Sequence, residues 1–161
     1  MSVSADALRT HIDYNSWASQ RLVDAAALLS PDDLNRDFET ADRSVLGTLV
    51  HVFAADRLWL SRLAATPHPG FVTDADRSLP VLRNDWPALR EQWKQWAQQL
   101  TDEQSAAPLA YTDMKGRHWK QPIWQLVLHV VNHGTHHRGQ VTGFLRTLGQ
   151  TPPVHYYRER G

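Results

Sequence analysis

Four long segments of this 161-residue chain place apolar residues at every third or fourth position. This spacing puts the apolar side chains on one face of an α-helix, so it predicts amphipathic helices at about 5–29, 45–65, 80–100 and 122–148. The connection at 66–79 is long, and such a length suits a crossover between parallel helices better than a tight antiparallel turn. The sequence therefore predicts an all-α four-helix bundle with one long crossover.

Polar residues and glycines between these segments predict how the helices begin and end. Ser44 is expected to cap the second long helix. Residues 109–120 break the helical pattern around Asp113-Met-Lys-Gly116, which predicts a small β-hairpin before the last helix. Pro87 is expected to distort the third long helix, unless that helix begins near Asp85.

The composition limits the class of protein. The length fits one domain, residues 1–161, with a full hydrophobic core. The 17 Lys and Arg residues balance the 17 Asp and Glu residues, which argues against a nucleic-acid partner. The absence of cysteine excludes disulfides, thiolate ligands and a cysteine nucleophile. We see no signal peptide and no apolar run of about 18 residues, so we expect a cytoplasmic protein without a membrane span.

Three histidines of the last helix, His129, His133 and His137, are spaced four residues apart. On an α-helix this spacing forms one stripe of imidazoles, and neutral imidazole is a common ligand of Zn, Ni, Cu and Fe. The first and last of the three are about 12 Å apart along the axis, so a single ion cannot easily hold both. We therefore expect one adjacent pair to bind a metal ion, with a third ligand from another helix.

The second long helix offers His51 on its apolar face. If the second and fourth helices are antiparallel, His133 and His137 lie closer to its level than His129 does. His129 is interpreted as a hydrogen-bonded core residue, and His136 points about 100° away from the stripe. A core cluster of imidazoles without an ion is the alternative, and it would require partners for six ring nitrogens.

Two polar residues are candidates for orienting a ligand imidazole through a hydrogen bond. They are Asp56 on the second long helix and Gln140 on the last one.

Three motifs show a resemblance to a known family. They are Tyr14-Asn-Ser-Trp17-Ala, the segment from Arg43 to His51 with Asp56-Arg-Leu-Trp59, and the segment from His129 to Val141. On these motifs the chain resembles the DinB/YfiT-like superfamily over essentially its whole length. The resemblance implies a bundle of up-down-down-up order and a divalent metal ion, such as Zn, Ni or Fe, held by His51, His133 and His137.

The resemblance also implies a function. Some superfamily members resemble transferases or isomerases that use glutathione, mycothiol or bacillithiol, and the family name reflects damage-inducible expression. We favour a small-thiol S-transferase in which the ion would bind the thiol, lower its pKa and present the thiolate to an electrophilic substrate. Because the chain has no cysteine, the thiol must be a separate small molecule. Arg138 or Arg57 could hold the carboxylates of such a thiol. Family members often dimerise, so a homodimer is expected.

Two other functions stay open on the sequence. Metal-assisted hydrolysis would need a general base, and the glutamates at 39, 91, 103 and 159 all lie outside the two helices that carry the histidines. The same scarcity of glutamate argues against a di-iron site. The non-enzymatic alternative is a stress or binding protein in which the ion mainly stabilises the bundle.

Overall fold

Six helices and one hairpin make up the described part of the chain, residues 2–153 and residue 156 of a computed structural model. The helices are α1 (Ala5–Ala26), α2 (Pro31–Asn35), α3 (Val45–Leu63), α4 (Leu79–Gln99), α5 (Asp102–Ala106) and α6 (Ile123–Thr147). The antiparallel strands are β1 (Pro108–Thr112) and β2 (His118–Pro122), and a short 3-10 turn lies at Asp74–Asp76. The predicted helical fold with a hairpin before the last helix is confirmed.

Side-chain contacts at two levels define the direction of each neighbouring helix pair. In the antiparallel pairs, α1 with α4 and α3 with α6, early residues of one helix meet late residues of the other: Arg9 with Ala97, Gln20 with Arg90, His51 with His133, and Trp59 with His129. In the parallel pairs, α3 with α4 and α1 with α6, the residue numbers rise together: Phe53 with Trp86, Asp56 with Trp93, Asn15 with Gly134, and Ser19 with Arg138. The order is up-down-down-up, and the long crossover joins the parallel pair α3 and α4.

The apolar faces of the four long helices meet in one core. Its most deeply buried large residues include Leu8, Leu22, Leu49, Leu82, Trp86, Leu126 and Leu145. Burial of each such side chain contributes about 1.5–3 kcal/mol to folding. The core makes a rigid frame on which α3 and α6 carry polar side chains.

The N-terminus of α3 is covered by the loop 36–44. Ser44 caps the helix as predicted, since its Oγ accepts a hydrogen bond from the Gly47 N–H at 3.0 Å. Glu39 and Arg43 adopt positive φ angles of 59° and 65°, which fold the loop back over α3. A Cβ on Gly47 would lie 2.0 Å from the Asp42 carbonyl oxygen, so glycine is needed for this close approach.

Pro87 lies inside α4, which begins at Leu79 and not near Asp85. The proline is exposed, and Arg83, whose carbonyl loses its usual helical donor, is exposed as well. Water can therefore bind the freed carbonyl, and the helix continues through the proline.

Candidate metal centre

Three histidines from two helices meet on one side of the bundle. The ring centroid of His51 on α3 lies 4.9 Å from that of His133 and 4.5 Å from that of His137, both on α6. The Nε2 atoms of His51 and His133 are 2.9 Å apart, and each of the three residues offers a nitrogen within 4.8 Å of the others. Two nitrogens that bind one ion at about 2.1 Å lie about 3.0–3.4 Å apart. The group could hold a metal ion after a small adjustment of its side chains.

The far sides of two rings face oxygen acceptors. The Nδ1 atom of His137 lies 2.7 Å from Gln140 Oε1, so the expected contact of Gln140 with an imidazole of the group is confirmed. Asp42 places one carboxylate oxygen 3.5 Å from His51 Nδ1 and the other 3.7 Å from His137 Nδ1. A proton on each of these Nδ1 atoms leaves the Nε2 lone pairs directed inward. A cation between them would remove the repulsion of these lone pairs, so the donor set fits a metal ion.

Burial and the neighbouring imidazoles lower the pKa of His133 and of His137. Burial, reinforced by the neighbouring imidazoles, lowers the pKa of His133 to about 3. Burial also lowers the pKa of His137, although the hydrogen bond with Gln140 opposes this change. Neutral imidazole is the form that binds metal ions, so the environment favours the ligand state of both residues.

Asp56 does not orient an imidazole, and this expectation is wrong. Its carboxylate is buried and accepts a hydrogen bond from the Trp86 Nε1–H at 3.0 Å. Position 56 is five residues after His51, about 140° around the helix, so it faces α4 instead of α6. Burial is the main cause that raises the pKa of Asp56 to about 6.

Asp42, instead of Asp56, is the carboxylate that lies beside the histidine group. Asp42 lies in a polar, aperiodic segment, and it reaches the histidines only because the loop 36–44 folds back over α3. Helical periodicity gives no information about such a loop.

The two remaining histidines of α6 lie outside the group. His129 packs edge-to-face on Trp59 with the ring centroids 5.2 Å apart. It is exposed, so its interpretation as a core residue is wrong. His136 is also exposed, as expected for a residue that points away from the stripe.

Arg138 is not placed to bind a ligand from solvent. It is only 1% exposed, and its guanidinium donates hydrogen bonds to Asn15 Oδ1, Ser19 Oγ and Thr135 Oγ1. One residue after His137, it points about 100° away from the histidines and toward α1. The expectation that it holds a thiol carboxylate is therefore corrected to a structural role between α1 and α6.

Arg57 holds the crossover against α3. Its Nη2 donates a hydrogen bond to the Pro69 carbonyl at 2.7 Å, and its Nη1 lies 3.6 Å from Asp76 Oδ1. These contacts engage both ends of the guanidinium, so they do not support the cofactor-binding role expected for this residue.

An apolar pocket of about 370 Å³ borders His51. The pocket is lined by residues from α3, from the crossover and from the hairpin turn: His51, Ala54, Ala55, Leu58, His68, Gly70, Phe71, Val72 and Met114. Sequence analysis did not find Phe71 or Met114, because neither belongs to a periodic segment. The pocket gives a small molecule access to one edge of the histidine group.

The positions of the acidic residues are consistent with a site whose metal ligands are all histidines. The helices α3 and α6 contain no glutamate, and their one acidic residue is Asp56. Glu39, Glu91 and Glu103 lie on other parts of the chain, and Glu159 lies outside the described residues. Within residues 2–153 and 156, no helix has the length and apolar character needed to cross a membrane.

The fold and the site define a class of protein. It is a four-helix bundle in which the second and fourth long helices bring three histidines close together. The DinB family model matches residues 1–160, and the chain belongs to the DinB family. It is 27% identical over 146 residues to Protein DinB of Bacillus subtilis (strain 168), a match that covers 85% of this chain and 83% of that protein. Its fold is similar to the crystal structure of a DinB-like protein from Bacillus cereus ATCC 10987, with a TM-score of 0.70 and 21% identity over 97% of this chain and 100% of that one. The resemblance found in the sequence is confirmed.

Proposed function

We propose that His51, His133 and His137 bind a divalent metal ion, and that the protein uses it to transfer a small thiol to an electrophilic substrate. The observation that carries this proposal is the convergence of three imidazoles at the edge of an apolar pocket. Zn, Ni and Fe all suit imidazole ligands. The absence of cysteine requires that the sulfur come from a separate molecule.

A divalent ion held by three neutral ligands would keep its full positive charge and would lower the pKa of a thiol. In the transfer, the thiol gives its proton to solvent and its sulfur forms a bond to an electrophilic carbon of the substrate. The leaving group departs with the electron pair of the bond that breaks. Gln140 orients His137 through the hydrogen bond at Nδ1, and the Asp42 carboxylate lies beside His51 Nδ1. The helix α3 supplies one wall of the substrate pocket.

The exposure of His51 favours an enzyme over a protein in which the ion only stabilises the bundle. The side chain of His51 is 43% exposed and borders a pocket. Structural metal sites are closed, whereas catalytic sites keep a position open for water or substrate.

Hydrolysis finds less support in the described residues. The carboxylate nearest the histidines is Asp42, and its oxygens face the outer Nδ1 atoms of two of the rings. A general base for water would instead need to face the inner side of the group.

A thiol titration of the cobalt-substituted protein tests the proposed function. Millimolar glutathione, mycothiol or bacillithiol is expected to add a sulfur-to-cobalt absorption band, which reports direct binding of the thiol. The His133→Ala variant should show no band, while the matched His129→Ala variant, on the same helix but outside the group, should behave as the wild type. If none of the three thiols changes the spectrum of the wild type, the transferase proposal is wrong.

A further inference from the structure

The apolar pocket beside His51 has the size of a small-molecule site. Its volume of about 370 Å³ lies within the range of about 300–1,000 Å³ that is usual for ligand pockets. Three separate elements form its walls, namely α3, the crossover and the turn of the hairpin. A pocket built from three elements has a defined shape and can select a ligand by its form.

The chemistry of the pocket favours a neutral ligand. None of its lining residues in the described part of the chain is Asp, Glu, Lys or Arg. Phe71 and Met114 lie on its wall, yet these residues are 69% and 64% exposed. Large apolar side chains that remain exposed at a pocket commonly mark a ligand-binding surface, because a bound apolar group would remove them from water.

Hydrogen bonds and an ion pair within the chain hold the crossover wall in place. Arg57 ties Pro69 and Asp76 to α3, and the Asp76 carboxylate accepts hydrogen bonds from the backbone N–H and the hydroxyl of Thr73. His68 accepts a hydrogen bond from the Gly70 N–H at 3.0 Å, and its ring packs on Phe71 with the centroids 5.1 Å apart. The wall is therefore already ordered, which lowers the entropic cost of binding.

Charged residues lie on a different surface near the histidines. A second pocket, of about 280 Å³, includes Asp37, Asp42, Arg43 and Arg77. An apolar group bound there would displace water from these charged side chains, which costs free energy. Such a group therefore binds more favourably in the pocket beside His51.

We infer that this apolar pocket binds the uncharged, apolar body of the electrophilic substrate and holds it against His51. The substrate class is then a small neutral molecule with an aromatic ring or a branched alkyl group of similar size. The assignment of this ligand as the electrophile rests on the proposed function, whereas the preference of the pocket for neutral apolar groups rests on its walls alone.

Fluorine NMR with 4-fluorobenzyl alcohol as the probe tests the inference. The probe is expected to bind the metal-free, zinc-loaded and cobalt-loaded protein, since the pocket does not require an ion. Cobalt should broaden the fluorine signal far more than zinc does, because a ligand in this pocket lies beside His51. The control probe 2-fluoroethanol has the same hydroxyl without the ring, and it should bind at least about tenfold more weakly.

Substitutions in the wall locate the bound probe. Phe71→Ser and Met114→Ser should each weaken binding of 4-fluorobenzyl alcohol about threefold to tenfold, because each removes apolar contact area. Leu28→Ser is the matched control, since Leu28 is 85% exposed and does not line the pocket. Equal affinity for the two probes, or equal binding by the wild type and both wall variants, would overturn the inference.

The two proposals fail in different ways. Binding of the fluoroaromatic probe without a thiol band in the cobalt protein would keep the pocket and reject the transferase. A thiol band without binding of the aromatic probe would keep the thiol site and reject the apolar substrate.

Discussion

The carboxylate of Asp42 faces two imidazoles at once. Its oxygens lie 3.5 Å from His51 Nδ1 and 3.7 Å from His137 Nδ1, so one negative charge lies beside residues of two different helices. In metal sites a carboxylate beside a ligand imidazole favours one ring tautomer and raises the basicity of the ligand. At the residue scale, Asp42 is therefore the position where a small change should affect metal affinity most specifically.

The Asp42→Asn variant tests this role. The substitution removes the negative charge beside both imidazoles and turns one of the two oxygens into an NH₂ donor, so we expect metal affinity to fall about 10-fold to 100-fold. The affinity can be measured by competition for zinc with a chromophoric chelator. Asp32→Asn, at an exposed position of α2, provides the control and should retain wild-type affinity. Unchanged affinity in Asp42→Asn would show that Asp42 does not orient the ligands.

At the scale of elements, α3 and α4 are joined by a buried carboxylate. Asp56 accepts a hydrogen bond from Trp86, and its backbone carbonyl accepts one from Trp93. Burial raises the pKa of Asp56 to about 6, while the hydrogen bond from Trp86 and the charges of Arg138 and Arg90 oppose that rise. The folded state therefore binds this proton more tightly than the unfolded state does.

This contact predicts a pH dependence of stability. Because the pKa of Asp56 is raised in the folded state, its contribution to the free energy of unfolding is fully present below about pH 4 and is lost as the pH rises to about 6. The Asp56→Asn variant keeps an oxygen that can accept the hydrogen bond from Trp86, but its side chain has no proton to lose in this pH range. Urea unfolding of both proteins should show the wild type losing on the order of 2 kcal/mol relative to the variant over this range. A constant difference from pH 4 to pH 7 would contradict the predicted shift.

The features that could be predicted from the sequence are those that depend on residues close together in the chain. The cap at Ser44 and the hairpin around Asp113 depend on residues close in sequence, and both were predicted within a few positions. The fold of the loop 36–44 depends on left-handed conformations at Glu39 and Arg43, which few non-glycine residues adopt. The position of Asp42 over the histidines could not be predicted for that reason.

At the scale of the whole molecule, topology brings the histidines together. The antiparallel arrangement of α3 and α6 places His51 at the level of His133 and His137, as the sequence analysis expected from residue counting. The face of each helix was harder to predict, because a neighbour such as Arg138 differs from His137 by only one position and yet lies in the core. The homodimer and the cytoplasmic location stay predictions.

The metal content of untagged protein tests the central claim most directly. Elemental analysis should find about one divalent ion per chain in the wild type and in His129→Ala, and almost none in His51→Ala, His133→Ala or His137→Ala. Circular dichroism should show the same helix content for the wild type and His51→Ala, because His51 is exposed and contributes little to the core. A folded His51→Ala variant that retains the full metal content would contradict the proposed three-histidine site.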